Sequence, residues 1–163
     1  METIILPAYE YREEIAALFR EYTDMLIKDE PRFTEYLGIQ NYDDEIKHLE
    51  HKYALPDGRL YIVFCGGIPA GCIGMRKLDG ESCELKRLYV KPAFRGNGIA
   101  GKLVDRILTE AKEIGYRFVY LDTFPFLTTA IAMYKRRGFY EIPCYNDCPI
   151  EATVYMRLDL QGA

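Results

Sequence analysis

Three glycines fall within six residues at Gly96, Gly98 and Gly101, inside the stretch Arg95-Gly96-Asn97-Gly98-Ile99-Ala100-Gly101. A strand-like apolar run precedes this stretch and a long amphipathic helix pattern follows it. Glycines let a backbone turn with positive φ and approach a ligand closely, while the first N–H groups of a helix lack intrahelical partners and lie at the positive end of its dipole. Such a loop is a cradle for an anion, and a phosphate suits it. Three loop patterns overlap on these letters. The P-loop pattern is met by Gly96, Gly101 and Lys102, but Leu103 stands where a hydroxyl must ligate Mg²⁺. The dinucleotide fingerprint is met by Gly96, Gly98 and Gly101, with Asp122 placed as a ribose contact would be. That fingerprint wants its first glycine directly after the strand, however, and here Lys91 to Arg95 intervene. It also opens a domain, whereas this loop lies past the middle of a 163-residue chain.

The third pattern is Arg-x-x-Gly-x-Ala, read as Arg95, Gly98 and Ala100 within ELKRLYVKPAFRGNGIAGKL. With the later segment AIAMYKRRGF, residues 130–139, it resembles the GNAT superfamily of acyl-CoA-dependent N-acetyltransferases, whose pyrophosphate loop and following helix carry these two phrases in this order. Two separated motifs in the right strand and helix context are far more specific than one glycine match. The resemblance covers residues 84–140. It implies acetyl-CoA as co-substrate, no metal, and direct transfer of the acetyl group to a primary amine in a ternary complex. A catalytically silent acyl-CoA-binding sensor on the same fold is the other reading.

Site residues follow from the resemblance position by position. The pyrophosphate would lie on Arg95, Gly96, Asn97, Gly98, Ile99, Ala100, Gly101 and Lys102. The acyl-pantetheine arm would lie on the main chain of Leu88, Tyr89 and Val90, with the Leu88 N–H as oxyanion donor. This requires the strand to splay from its parallel neighbour through an insertion or β-bulge. Tyr134 matches the tyrosine that protonates the departing thiolate; the plain alternative is a tyrosine in a helix seam, in a chain that has 14 of them. Glu84 matches a catalytic glutamate found in several members, and burial would raise its pKa toward neutrality; equally, it could face solvent beside Lys86. Leu127 stands where the family has an asparagine on the pantetheine arm, so Thr128 or Thr129 would have to substitute. Lys102, Lys135, Arg136 and Arg137 are either contacts to the cofactor's 3′-phosphate or solvated helix charges. In this fold the acceptor pocket draws on the first two helices and the loop between the last strands. Those segments hold Tyr22, Phe33, Tyr36, Tyr42, Tyr145 and Asn146, with Asp24, Asp29 and Glu35 nearby, which favours a small cationic amine.

The elements needed to position these residues are legible as periodicities. A first strand covers 3–7, and a helix in roughly two parts runs from Glu10 to Glu30, with Ile15, Leu18, Phe19, Tyr22, Met25 and Leu26 on one face until Pro31 ends it. A second helix runs from Asp43 to about Tyr53, with Ile46 and Leu49 inward and Asp43 as N-cap. Residues 59–65, 70–78 and 82–90 form an antiparallel meander with tight turns. After the glycine loop, Ile99, Leu103, Ile107, Leu108 and Ala111 mark a helix closed by Gly115; 118–122 is a buried parallel strand; a helix spans Leu127 to Arg137; and strands near 139–142 and 152–160 finish the chain. The order β-α-α-β-β-β-α-β-α-β-β describes a single α/β (α+β) domain over 1–163, with a mixed, mostly antiparallel sheet of about six to seven strands and about four helices.

Composition sets the remaining bounds. The chain is 49% hydrophobic and 28% charged, with 21 basic and 25 acidic side chains. This balance argues against nonspecific nucleic-acid or anionic-membrane binding, which needs clustered cationic charge. The N-terminus lacks the basic flank of a signal peptide and no run approaches a membrane span, so a cytoplasmic location is expected. Five cysteines read as free thiols. Cys144 and Cys148 with His48 and His51 would compose a zinc site, but the spacing is wrong for one and a solvated helix face explains the histidines. A homodimer is the commonest assembly for such a chain.

Overall fold

The computed structural model describes residues 2–160. Seven strands form one sheet: β1 (Thr3–Pro7), β2 (Arg59–Cys65), β3 (Ile68–Lys77), β4 (Ser82–Val90), β5 (Phe118–Thr123), β6 (Tyr140–Ile142) and β7 (Val154–Asp159). Their order across the sheet is β1-β2-β3-β4-β5-β7-β6. Every neighbouring pair is antiparallel except β4 and β5. Six helices accompany it: α1 (Arg12–Asp29), α2 (Phe33–Ile39), α3 (Tyr42–Lys47), α4 (Glu50–Tyr53), α5 (Ile99–Ile114) and α6 (Thr128–Arg136).

One face of the sheet is covered by α5 and α6. Ile99, Leu103, Val104, Ile107 and Ala111 form the buried stripe of α5 and meet Ile73, Leu85, Val119 and Leu121 in the largest core cluster. Removing each such aliphatic side chain from water stabilises the fold by about 1.5–3 kcal/mol. The opposite face packs Ile15, Leu18 and Phe19 of α1 with Leu49 and Tyr53 against Leu60, Ile62 and Tyr89. A third cluster joins Leu26, Phe33, Tyr36 and Leu37 to Phe124 and Ile150.

Three expectations change. The first helix is continuous over Arg12–Asp29 instead of two-part, because its apolar stripe runs unbroken along β3 and β4. The second is two short helices, α3 stopping at Lys47 and α4 starting at Glu50, and α2 before them was unforeseen. Asn41, not Asp43, precedes α3, with a left-handed φ of 57° and no side-chain cap. Its buried residue is Glu45, which enters the core beside Leu49 and Ile46, the two residues that were expected to face inward and do. Finally, β5 alternates between buried and half-buried residues: Asp122 borders a cavity, and Tyr120 packs against the Tyr145 ring with the Arg157 guanidinium over it.

Candidate functional site

The site begins where β4 and β5 part. They are paired only over Ser82–Glu84 and Phe118–Tyr120, whereas β5 stays paired with β7 along its whole length. The departure has a local cause in β4. Cys72 faces Tyr89 and Gly74 faces Lys86, so Arg87 and Leu88 together oppose Ile73. Arg87 is a bulged residue with φ of 59°, and a bulge bends its strand away from its partner. The Lys91 N–H donates to the Ala70 carbonyl at 2.8 Å. Because amide directions alternate along a strand, the N–H groups of Val90 and Leu88 point the other way, into the gap left by β5.

A 3₁₀ turn, Pro92–Phe94, then leads into the glycine loop and α5. Gly96 and Gly98 have φ of 83° and 72°, values that L side chains disfavour by about 1–2 kcal/mol. A Cβ at Gly98 would meet nothing within 4 Å, so the backbone turn, and not crowding within the protein, demands glycine there. The Arg95 guanidinium is turned back onto the sheet: its Nε donates to the Val90 carbonyl at 2.9 Å, and the group lies 5.8 Å from the Tyr89 ring centroid. Asn97 closes the turn through Nδ2 to the Phe94 carbonyl at 3.0 Å.

Loop, parted strands and helices border one cavity of about 820 Å³. Of the residues expected to hold acetyl-CoA, Leu88, Tyr89, Val90, Arg95, Gly96, Gly98, Ile99, Ala100, Gly101, Lys102, Thr129 and Tyr134 line it; Asn97 does not. Tyr134 on α6 is 5% exposed, with its ring edge against Phe139. Burial raises its pKa far above the ordinary phenol value, so the group stays protonated. Its hydroxyl bonds to no protein atom among the described residues, yet no enclosed polar side-chain atom there lacks a partner. The hydroxyl therefore faces the cavity. Leu127 and Thr128 also border it. Arg137 is held by Asp105 at 2.7 Å and 3.2 Å, while Lys135 lies outside the lining.

Glu84 differs from its expectation. It is 3% exposed but does not border the cavity. Its carboxylate accepts from Arg76 Nε at 2.9 Å and from the Tyr145 hydroxyl at 2.5 Å. Burial alone would raise its pKa, but the charges of Lys86 and Arg76 and the Tyr145 and Arg76 hydrogen bonds outweigh burial and leave it lowered. The expected rise toward neutrality is thus corrected, and so is the solvent-facing alternative.

Two carboxylates do border the cavity, Asp105, which is taken up by Arg137, and Asp122. Tyr36 and Asn146 both donate to Asp122 Oδ2, at 2.5 Å and 2.8 Å, and Asn146 also donates to the Tyr36 hydroxyl at 2.9 Å. Oδ1 makes no hydrogen bond among the described residues. Tyr22, Phe33 and Tyr36 line the cavity as expected for its acceptor end, whereas Tyr42, Tyr145 and Asn146 stand behind the lining. Asp24, Asp29 and Glu35 are exposed and not part of it. The preference for a cationic acceptor loses the acids on which it rested.

Behind this end lies a buried ion network absent from the sequence reading. Glu45 is fully buried and accepts from Arg87 Nε at 2.8 Å and Nη2 at 3.0 Å, from Lys52 at 2.7 Å and from the Tyr53 hydroxyl at 3.0 Å. Burial pushes the Glu45 pKa up, but the Arg87 charge and hydrogen bond, with the charges of Lys52 and Lys86, hold it far below the ordinary carboxylate value. Tyr53 reaches Glu45 only because Gly74 lies under its ring; a Cβ there would come within 2.6 Å of Cε1. The one available signal was Lys86-Arg87 inside the apolar strand, two adjacent charges that no alternating strand can send to a single solvent face. His48, Glu50 and His51 gather ligand atoms within 4.8 Å on the exterior. Cys148, by contrast, packs on the third core cluster and all five cysteines are free. Among the described residues, no helix is long and apolar enough to cross a membrane.

A sheet opened at its one parallel pair, with a glycine loop and helix N-terminus at the mouth of the opening, is the architecture of the acyl-CoA-dependent acyltransferases. The model of the acetyltransferase (GNAT) family matches residues 14–139. An N-acetyltransferase of Dictyostelium discoideum is 30% identical, with 96% of this chain and 98% of that protein covered. One of Schizosaccharomyces pombe is 36% identical over 76% of this chain and 77% of its own length. The fold is shared with an N-acetyltransferase of Thermoplasma acidophilum solved in complex with coenzyme A, at a TM-score of 0.74 and 18% identity, covering 98% of this chain and 100% of that one. The chain belongs to the GNAT family and is an acyl-CoA-dependent acetyltransferase.

Proposed function

We propose that the protein transfers the acetyl group of acetyl-CoA to the primary amine of a small acceptor by direct attack in a ternary complex. The observation that carries this reading is the single cavity bordered by the glycine loop, the parted half of β4, the Tyr134 hydroxyl and Asp122. In it, the pyrophosphate rests on the loop amides and the N-terminus of α5. The pantetheine arm pairs as an added strand with the N–H groups of Leu88 and Val90, and the Leu88 N–H stabilises the developing oxyanion.

Asp122, and not Glu84, takes the proton of the arriving ammonium through its unpaired Oδ1. The neutral amine attacks the thioester carbonyl, the C–N bond forms and the C–S bond breaks. Tyr134 gives its proton to the departing sulfur, and the proton released by the attacking nitrogen restores the phenol. Glu84 holds Arg76, Lys86 and Tyr145 in place. Thr129, exposed at the start of α6, takes the part of the missing asparagine.

The test is thiol release from acetyl-CoA with a panel of primary amines, coupled to mass analysis of product and protein. N-acetylated product with no acetylated protein residue supports the reading. Release without an acetylated amine, or an acetyl group trapped on a side chain, contradicts it.

A further inference from the structure

The acceptor end of the cavity carries more than a proton acceptor. Lys86 and Arg87 both border it, and their side chains are 6% and 3% exposed. Arg87 uses Nε and Nη2 on Glu45 and Gln40; its Nη1 bonds to nothing among the described residues. Lys86 Nζ makes no hydrogen bond there either and sits 3.8 Å from Glu84 Oε1. No enclosed side-chain nitrogen among the described residues lacks a partner, so these two donors keep contact with open space, and the cavity is a space that both residues line.

The charges around them do not balance. Among the described residues, Lys52, Arg76, Lys86 and Arg87 share only Glu45 and Glu84 as close anionic partners. Burying an uncompensated cation is costly, and an anion that joins the group offsets the cost. Asp122, in the same cavity, is left for the acceptor's amine, so the surplus calls for an anionic group on the acceptor itself.

We infer that the acceptor is a small amine that also bears a carboxylate, held by Lys86 Nζ and Arg87 Nη1 while its amine meets Asp122. The acceptor class is therefore an amino acid or a short ω-amino acid. The Glu45 and Gln40 bonds fix the guanidinium in advance, so its free N–H groups cost little further ordering when the carboxylate binds. This inference rests on the N-acetyltransferase reading above and deepens it.

The experiment compares α-amino acids, β-alanine, γ-aminobutyrate and ε-aminocaproate, each against its carboxamide and its decarboxylated amine, by thiol release under saturating acetyl-CoA. Charge-assisted hydrogen bonds to a carboxylate should give at least one acid a kcat/KM roughly ten- to a hundredfold above that of its carboxamide. In Lys86→Met the ratio of acid to carboxamide should fall toward one, mainly through KM, and Lys86→Arg should restore it. Taking the ratio cancels any general loss of fold or activity. Acceptors that work equally well without the carboxylate, or a preference that Lys86→Met leaves intact, would overturn the inference while leaving the transferase reading in place. No transfer to any amine of either kind would overturn that reading and the inference with it.

Discussion

The two ends of the cavity are built from different materials. The donor end is main chain and small residues: amides of β4 freed by a bulge, two left-handed glycines and a helix N-terminus, all between Leu88 and Gly101. The acceptor end is side chains brought from far apart in sequence, as when Glu45 meets Arg87, Tyr145 meets Glu84 and Asn146 meets Asp122. Main-chain sites tolerate sequence change wherever the backbone path is kept, whereas a buried charge network depends on every member. Damage should therefore spread differently at the two ends, to stability at one and to cofactor affinity at the other.

The largest effect belongs to the acceptor end. Glu45→Ala leaves Arg87 buried without its carboxylate and should cost about 3–5 kcal/mol in denaturant unfolding. A loss below about 1 kcal/mol would mean that the network does not hold this end together. At the meeting point of the two ends, Tyr134→Phe should lower kcat about a hundredfold, with acetyl-CoA affinity within a few-fold of the parent. Unchanged turnover would remove the phenol from the mechanism. The ends can also be separated by pH. Glu45 and Glu84 are both held below the ordinary glutamate value of 4.5 in the folded protein. The stability they add is therefore fully present above that value and is lost as pH falls toward and through their folded values. Urea unfolding between pH 7 and 3 should show that decline, and Glu45→Ala should flatten it; an equal slope in the variant would contradict the assignment. Smallest is Thr129→Ala, which should weaken acetyl-CoA binding only a few-fold, the value of one exposed hydrogen bond. A loss as large as that of a loop glycine would make Thr129 a main anchor.

The same contrast decides how much could be read from the letters. The glycine loop, the strand before it and the tyrosine helix are local in sequence, so their motifs located the donor end and the strand order to within a few residues. The bulge was foreseen as a necessity, but its position at Arg87 was not, since nothing local marks a positive φ on an arginine. The acceptor end was misread because its partners lie some 40 to over 100 residues apart, as for Glu45 with Arg87 and Tyr36 with Asn146. In DDEIKHLEHKY the helical period puts Glu45 one turn before the inward Leu49, but nothing local supplies the charge that pairs with it; Arg87 on a distant strand does. Glu84 was placed correctly on the sheet and given the wrong electrostatics, because its neighbours Arg76 and Tyr145 come from other strands and loops.

The central claim is that the opening between β4 and β5 holds acetyl-CoA with its pyrophosphate on the glycine loop. Calorimetric titration of the chain with acetyl-CoA, with ATP and NADH as controls and Gly98→Val alongside, tests it most directly. The account predicts one acetyl-CoA site per chain, no comparable binding of the controls, and loss of that site in a Gly98→Val protein that remains folded. Binding of ATP or NADH in place of acetyl-CoA, or tight acetyl-CoA binding retained by Gly98→Val, would contradict it.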